Sequence, residues 1–247
     1  MHLTDKSYAI VIPARYQSSR FPGKPLVDIA GKSMIQRVWE RCIQAVEPSL
    51  VYIATDDQRI AEHCSGFTSN IELTSAECLT GTDRVAEVAK RLELDFVVNV
   101  QGDEPLLDPN SILKVIDTYI ENEGSIVNAM CPIESDQEFF SVTVPKVVAT
   151  PSGKLLYMSR APIPGNKHKT FNFGWKQVCV YVFPNGAIQE FSSRQQKTPL
   201  EQEEDIEILR FIEMGYDVQM VRVSQGPIAV DTPQDRERVE SIIHAQG

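Results

Sequence analysis

Positive charge is scarce in this chain: 24 lysines and arginines stand against 34 aspartates and glutamates, for a formal net charge of -10. A nucleic-acid backbone is bound through a surplus of Lys and Arg, so nucleic acid is excluded as a main partner, and any anion must be met by a local cluster of cations. There is no CxxC pair. The five cysteines (Cys42, Cys64, Cys78, Cys131, Cys179) are odd in number and scattered, which argues against a disulfide framework or a zinc site and fits reduced thiols in a cytosolic protein. No apolar run approaches the ~20 residues of a membrane span, and the short run in MHLTDKSYAIVIPAR is wrongly flanked for a signal peptide; a cytoplasmic protein with no membrane partner is expected. The four histidines (His2, His63, His168, His244) show no catalytic spacing. Internal repeats, heptads and low-complexity tracts are absent, and so are the GxxxxGK[ST] and GxGxxG phosphate-binding fingerprints.

What the chain does have is apolar substance, 42% of its 247 residues, enough for one large α/β domain or a domain with a smaller lobe. Tyr8–Pro13 reads as a buried strand, and Ser33–Val46 as an amphipathic helix through Met34, Ile35, Val38, Trp39, Cys42 and Ile43. Leu50–Ala54 and Asp95–Val100 read as further strands, Ile71–Thr74 as a shorter one, and Arg59–Cys64 and Thr82–Leu92 as helices. This alternation over about the first 120 residues predicts a mostly parallel, Rossmann-like α/β sheet covered on both faces, with ligands at the carboxyl ends of its strands. Beyond it, Lys146–Ala149, Lys154–Met158 and Gln177–Phe183 suggest an antiparallel lobe, with a boundary near residue 130. Pro199–Met214 reads as one helix, and Thr232–His244 as a terminal helix begun by Thr-Pro.

Two constellations carry chemistry. In Ile12–Leu26 (IPARYQSSRFPGKPL), Arg15, Arg20 and Lys24 lie among Ser18, Ser19 and Gly23 directly after the first strand. Forked Arg donors, a mobile Lys charge and glycine-permitted backbone approach suit a polyphosphate. Charge alone is equally compatible with a solvated basic turn at Pro22–Gly23. The second is a pair of carboxylates, Asp103 in QGDEP and Asp231 in PIAVDTPQD. Magnesium takes one or two protein carboxylates plus substrate phosphates, although Asp103 can also cap a turn and Asp231 can begin the last helix.

Taken in order, IPARYQSSRFPGKPL, ATDD, TGTDR, NVQGDEP, SRAPIP and VDTPQD resemble the bacterial 3-deoxy-manno-octulosonate (Kdo) cytidylyltransferases over nearly the whole chain. The resemblance implies an enzyme of nucleotide-diphospho-sugar transferase fold. It would use CTP and magnesium to form a CMP-sugar for lipopolysaccharide biosynthesis. Residues 1–130 would be the nucleotide half, 131–215 a sugar-site and dimer lobe, and 216–247 a return to the core of a homodimeric protein. Arg15, Lys24 and Asp103 would be catalytic. Arg15 and Lys24 would hold the triphosphate, Ser18 and Arg20 would line the same nucleotide-binding loop after Ala14, and Thr80, Gly81, Arg84 and Gln101 would approach the cytidine. Asp103 and Asp231 would hold the metal. Arg160 would pair with the sugar carboxylate, and Gln177, Tyr181, Glu207 and Ile208 would face the acceptor.

The chain departs from the family pattern in CLTGT for HQSGT, in Gln177 for a histidine, in CVYVF for GIYGY, in Glu207–Ile208 for Glu-Gln, and in SVTVPK for Asn-x-Val-Lys. These changes fall mainly on the sugar side. They raise the 8-amino analogue of Kdo as an acceptor, beside the alternative of neutral drift. Another acid sugar of the sialic or pseudaminic type, and a silent CTP-binding regulator, remain open as rivals.

Overall fold

In the computed structural model, which describes residues 6–17, 21–224 and 226–246, strand β1 (Tyr8–Ala14) is apolar on both faces. Ala9 and Val11 join one hydrophobic layer and Ile10 and Ile12 the other, all four at most 1% exposed. A strand of that kind has to lie inside a sheet covered on both sides. A small hairpin of β2 (Asp28–Ile29) and β3 (Lys32–Ser33) leads into α1 (Met34–Ala45), whose first turn is capped by the Ser33 hydroxyl. There follow β4 (Val51–Thr55), α2 (Gln58–Cys64), β5 (Ile71–Leu73), α3 (Gly81–Arg91) and β6 (Phe96–Val100). β1 pairs in parallel with β4 and β6, and β4 with β5, the parallel half expected from the alternating pattern.

The chain continues through α4 (Pro109–Glu121), β7 (Ile126–Pro132), α5 (Asp136–Phe140), β8 (Lys146–Ala149), β9 (Leu155–Ser159) and β10 (Trp175–Pro184). It ends with α6 (Asn185–Ser192), α7 (Pro199–Glu204), α8 (Ile208–Glu213), β11 (Val218–Arg222) and α9 (Pro233–Gln246). The main sheet runs β11-β7-β10-β6-β1-β4-β5, with β8 joined to β10 and β9 to β8. One apolar layer lies beneath α1 and α4, the other beneath α3, α6 and α8.

Three expectations need correction. The strand placed over Gln177–Phe183 is not confined to a lobe: β10 is antiparallel between β6 and β7 in the middle of the sheet, and only its first residues pair with β8. Its bulge between Val178 and Tyr181 is satisfied by buried Asn128, whose amide donates to the carbonyls of Val178 and Val180 at 2.9 Å. The boundary near residue 130 falls inside β7. The single helix over Pro199–Met214 is two helices, because Asp205 takes a left-handed conformation (φ 50°, ψ 49°) that ends α7, a region Asp enters more readily than most residues.

Lys146 marks where the lobe is fastened. It is fully buried, and its ammonium donates to the carbonyls of Ser141 and Val144 at 2.7 Å and to that of Arg160. Burial, reinforced by the Arg160 charge, lowers its pKa to about 8 from the ordinary 10.5. The folded chain therefore releases this proton at a lower pH than the unfolded chain, and its relative stability rises between those two values. Lys146→Met is expected to cost roughly 2 kcal/mol or more at neutral pH through the orphaned carbonyls. In denaturant titrations its deficit should widen from pH 8 towards 10; a deficit that shrinks would contradict this account.

Candidate active site

The loops after β1, β4 and β6 leave the sheet side by side, since Ala14 is paired with Thr55 and Val11 with Asn99. Ala14, 5% exposed, ends β1, and Arg15 beyond it is exposed. Ser18 and Arg20 lie outside the described residues. The loop is closed at its base by a hydrogen bond from Gly23 N to Tyr16 O of 2.9 Å. Gly23 sits at φ 71°, a left-handed conformation that favours glycine, and a Cβ there would press on the Tyr16 ring at 3.2 Å. The Arg59 guanidinium lies 3.4 Å from the ring centroid of Tyr16 while gripped by Asp57 at 2.9 and 2.6 Å. The β4–α2 turn thus braces the basic loop.

Lys24 is the centre of the site. Its ammonium lies 3.1 Å from Asp103 Oδ2 and 3.0 Å from Asp231 Oδ1, joining residues 79 and 207 positions away. Burial works against its charge, but the two carboxylates more than offset this and raise its pKa above the lysine value. A backbone bond from Val230 N to Asp103 O, 2.9 Å, fixes the two acidic segments together. Helix α9 is entered through Asp235, whose carboxylate accepts from the backbone N–H groups of Asp231 and Thr232 and from the Thr232 hydroxyl. Capping is therefore the work of Thr232 and Asp235, and the Asp231 side chain is directed to Lys24.

Glu104, next to Asp103, is 4% exposed. Burial, then the Asp103 charge, pushes its pKa up to about 8. Asp103 Oδ1 and Glu104 Oε2 are buried and have no hydrogen-bond partner among the described residues. Buried acceptors left without a donor are costly, so these oxygens suit a site that receives a cation or a donor group. No cluster of three or more His, Cys, Asp or Glu is arranged for a metal among the described residues; the fit is to a cation completed by substrate phosphates.

On the other side, Thr80 caps α3, and Gly81 follows it. A Cβ on Gly81 would come within 3.1 Å of the Gln101 amide, so the bare backbone and that amide form one narrow wall. Arg84, 4% exposed, is paired with Asp56 at 3.2 Å and with the Thr74 hydroxyl; it braces the neighbouring loops and offers little surface to a ligand.

The residues expected to face the acceptor divide. Tyr181, on β10, is 7% exposed, its hydroxyl held well above the usual pKa by burial and then by Cys179, Glu207 and Glu104. Glu207 accepts from Thr82 N at 3.0 Å, and burial raises its pKa. Gln177 donates to Asn128 Oδ1 at 3.1 Å. Ile208 is the correction: it is 1% exposed among the apolar side chains under α3 and α6, so it presents no surface to an acceptor. Arg160 is spent largely on its own neighbourhood, donating to the carbonyls of Glu204, Val142 and Asp205 at 2.6, 3.0 and 2.9 Å. The hydrogen bond from Lys197 holds the Asp205 carboxyl below its ordinary pKa, with help from the charges of Arg160 and Arg15.

Sequence reasoning passed over Glu104, although QGDEP displayed it beside Asp103, because nothing local signals its burial. It also passed over the Tyr16–Arg59 brace, which joins residues 43 apart in sequence, and no local pattern could have found it.

A cationic loop, facing carboxylates and a glycine-lined wall at the carboxyl edge of a parallel sheet define a nucleotide-phosphate-binding protein. The family described as Cytidylyltransferase matches residues 9–220. The chain is 41% identical to the 3-deoxy-manno-octulosonate cytidylyltransferase of Syntrophotalea carbinolica, over 98% of this chain and 99% of that one. It is 40% identical to the mitochondrial 3-deoxy-manno-octulosonate cytidylyltransferase of Arabidopsis thaliana, over 94% and 82%. The solved structure of a CMP:2-keto-3-deoxy-manno-octonic acid synthetase complexed with CTP superimposes with a TM-score of 0.89 at 33% identity, covering 98% of this chain and all of that one. The chain belongs to the cytidylyltransferase family, among the 3-deoxy-manno-octulosonate cytidylyltransferases.

Gly81→Ala tests the narrow wall. Only the movable end of Gln101 is crowded, so the fold should survive while the affinity for CTP, read by calorimetric titration, falls about tenfold, equivalent to ~1.4 kcal/mol. Unchanged affinity would remove Gly81 and Gln101 from the nucleotide site.

Proposed function

We propose that this protein transfers CMP from CTP to the anomeric hydroxyl of a 3-deoxy-octulosonate, releasing pyrophosphate, in the supply of activated sugar for lipopolysaccharide. The observation that carries the proposal is the Lys24 ammonium held between Asp103 and Asp231 at 3.1 and 3.0 Å. The sugar oxygen forms a bond to the α-phosphorus, the bond to the bridging oxygen of pyrophosphate breaks, and the hydroxyl proton is lost. Such displacements depend on positioning and on neutralising charge. Lys24 and Arg15 neutralise the triphosphate, Lys24 with a flexible stem that can follow the charge as it moves to the leaving group. Gly81 and Gln101 set the base, while Tyr181 and Glu207 orient acceptor hydroxyls. Asp103 and Asp231 would hold magnesium, which supplies charge neutralisation at the phosphate oxygens; the unpaired Asp103 Oδ1 supports this.

Among octulosonates, the 8-amino acceptor rests on Gln177 and on the carboxyl groups of Glu104 and Glu207, since Ile208 lies in the core. Pyrophosphate release with CTP should be supported by Kdo-type acceptors and not by sialic or pseudaminic acids, with kcat/KM higher for the 8-amino compound; equal efficiency on the two octulosonates ends that finer reading. In the same assay Asp103→Asn, which removes a charge at nearly constant volume, should lose about a thousandfold or more in turnover, of the order seen when a key electrostatic group is removed, while remaining folded. Normal magnesium-dependent release by that variant would refute the metal assignment, and CTP binding without release by the unaltered protein would revive the silent regulator.

We further propose a twofold assembly built through the lobe, in a protein of the cytoplasm. Phe140, Val142 and Phe173 are 45%, 68% and 57% exposed, with the Phe140 ring against Phe139, Phe139 against Phe171, and Phe173 against Trp175; exposed apolar side chains of this kind support an interface. No helix is long and apolar enough to cross a membrane among the described residues. Light scattering should give a dimer that Val142→Glu weakens; a monomer at all concentrations would reject it.

A further inference from the structure

The reaction uses no part of the most deeply buried charge cluster. Arg210 and Glu201 are fully buried and Asp83 is 7% exposed. Arg210 grips Glu201 through Nε and an Nη atom, both at 2.6 Å, donates to Asp83 Oδ1 and to the Phe191 carbonyl at 3.2 Å, and lies 3.6 Å from the centroid of the Phe191 ring. Taking three charged groups out of water is expensive, and an apolar replacement often serves stability as well or better.

The network instead leads to one turn. Asp83 uses its second oxygen to accept from the Thr80 hydroxyl at 2.7 Å, and its own N–H donates to that hydroxyl oxygen at 3.3 Å. Thr80 is the cap immediately before Gly81. Three residues before Arg210, Glu207 accepts from Thr82 N. Two anchors from the α7–α8 segment therefore hold the residues on either side of Gly81, whose bare backbone faces Gln101.

Resting on the nucleotide reading given above, we propose that Arg210 is a positioning residue: through Asp83 it sets the first turn of α3 and so fixes the wall that selects the nucleobase. Asp83→Asn tests this without emptying the core, because it keeps the volume, an acceptor for Thr80 and the whole Arg210–Glu201 pair. The expected result is a folded protein whose KM for CTP rises at least fivefold with kcat within twofold, and whose preference for CTP over UTP in kcat/KM narrows at least fivefold. Arg210→Lys, which keeps the charge but not the fork, should fall between parent and Asp83→Asn on both readouts. An unchanged CTP to UTP ratio in folded Asp83→Asn overturns the proposal. Failure of that variant to fold overturns it as well, since the pair would then belong to stability alone. Absence of pyrophosphate release by the parent protein would instead refute the enzymatic reading.

Discussion

The site depends on one electrostatic arrangement: an ammonium held between two carboxylates that the chain brings together from 79 and 207 residues away. Without a cation between them, Asp103 and Asp231 would repel each other at short range in a partly dry setting, where Coulomb interactions are stronger than in water. Lys24 removes that repulsion, and the surrounding structure serves to hold the three groups in place. The 3-10 turn that carries Lys24 is bound to the loop base through Gly23 and Tyr16, the loop after β6 is tied to Val230, and α9 is entered through a Thr232–Asp235 cap that leaves Asp231 to the site.

The same economy of charge explains an acidic protein that binds a polyanion. A broadly basic surface would attract nucleic acid indiscriminately. Here cations are few and paired: Lys24 with two aspartates, Arg84 with Asp56, Arg59 with Asp57. Arg15 is the exception within the described part of the loop: it is exposed, with no hydrogen bond or ion pair among the described residues, and its charge is felt by Asp205. Neutral glycine and amide surfaces, at Gly81 and Gln101, make the wall opposite.

Among the residues expected at the acceptor, the structure separates those that depart from the family pattern by what they touch. Gln177 lies on a half-buried strand face and is bonded to Asn128, so its replacement of a histidine alters a polar neighbourhood. Ile208, where the family pattern has a glutamine, is 1% exposed and packs among apolar side chains of the neighbouring helices. A substitution pattern read from the linear chain treats the two alike. Burial does not.

Much was legible in the sequence because its cause is local. The both-faced apolar strands Tyr8–Ala14 and Phe96–Val100, the caps at Ser33, Asp57 and Thr80, and the loop residues at strand ends follow from side-chain periodicity and short-range hydrogen bonding. The spacing of Ile112, Val115, Ile116 and Tyr119 also announces α4, a helix absent from the expectations above. What tertiary structure alone decided are relations between distant segments. These include the insertion of β10 as an antiparallel strand between two strands running the other way, the break at Asp205, the burial of Glu104 and Lys146, and the convergence of Lys24, Asp103 and Asp231. Periodicity reports which face of an element is apolar; which elements meet, and how dry their charged groups become, depends on packing that no local stretch of chain encodes.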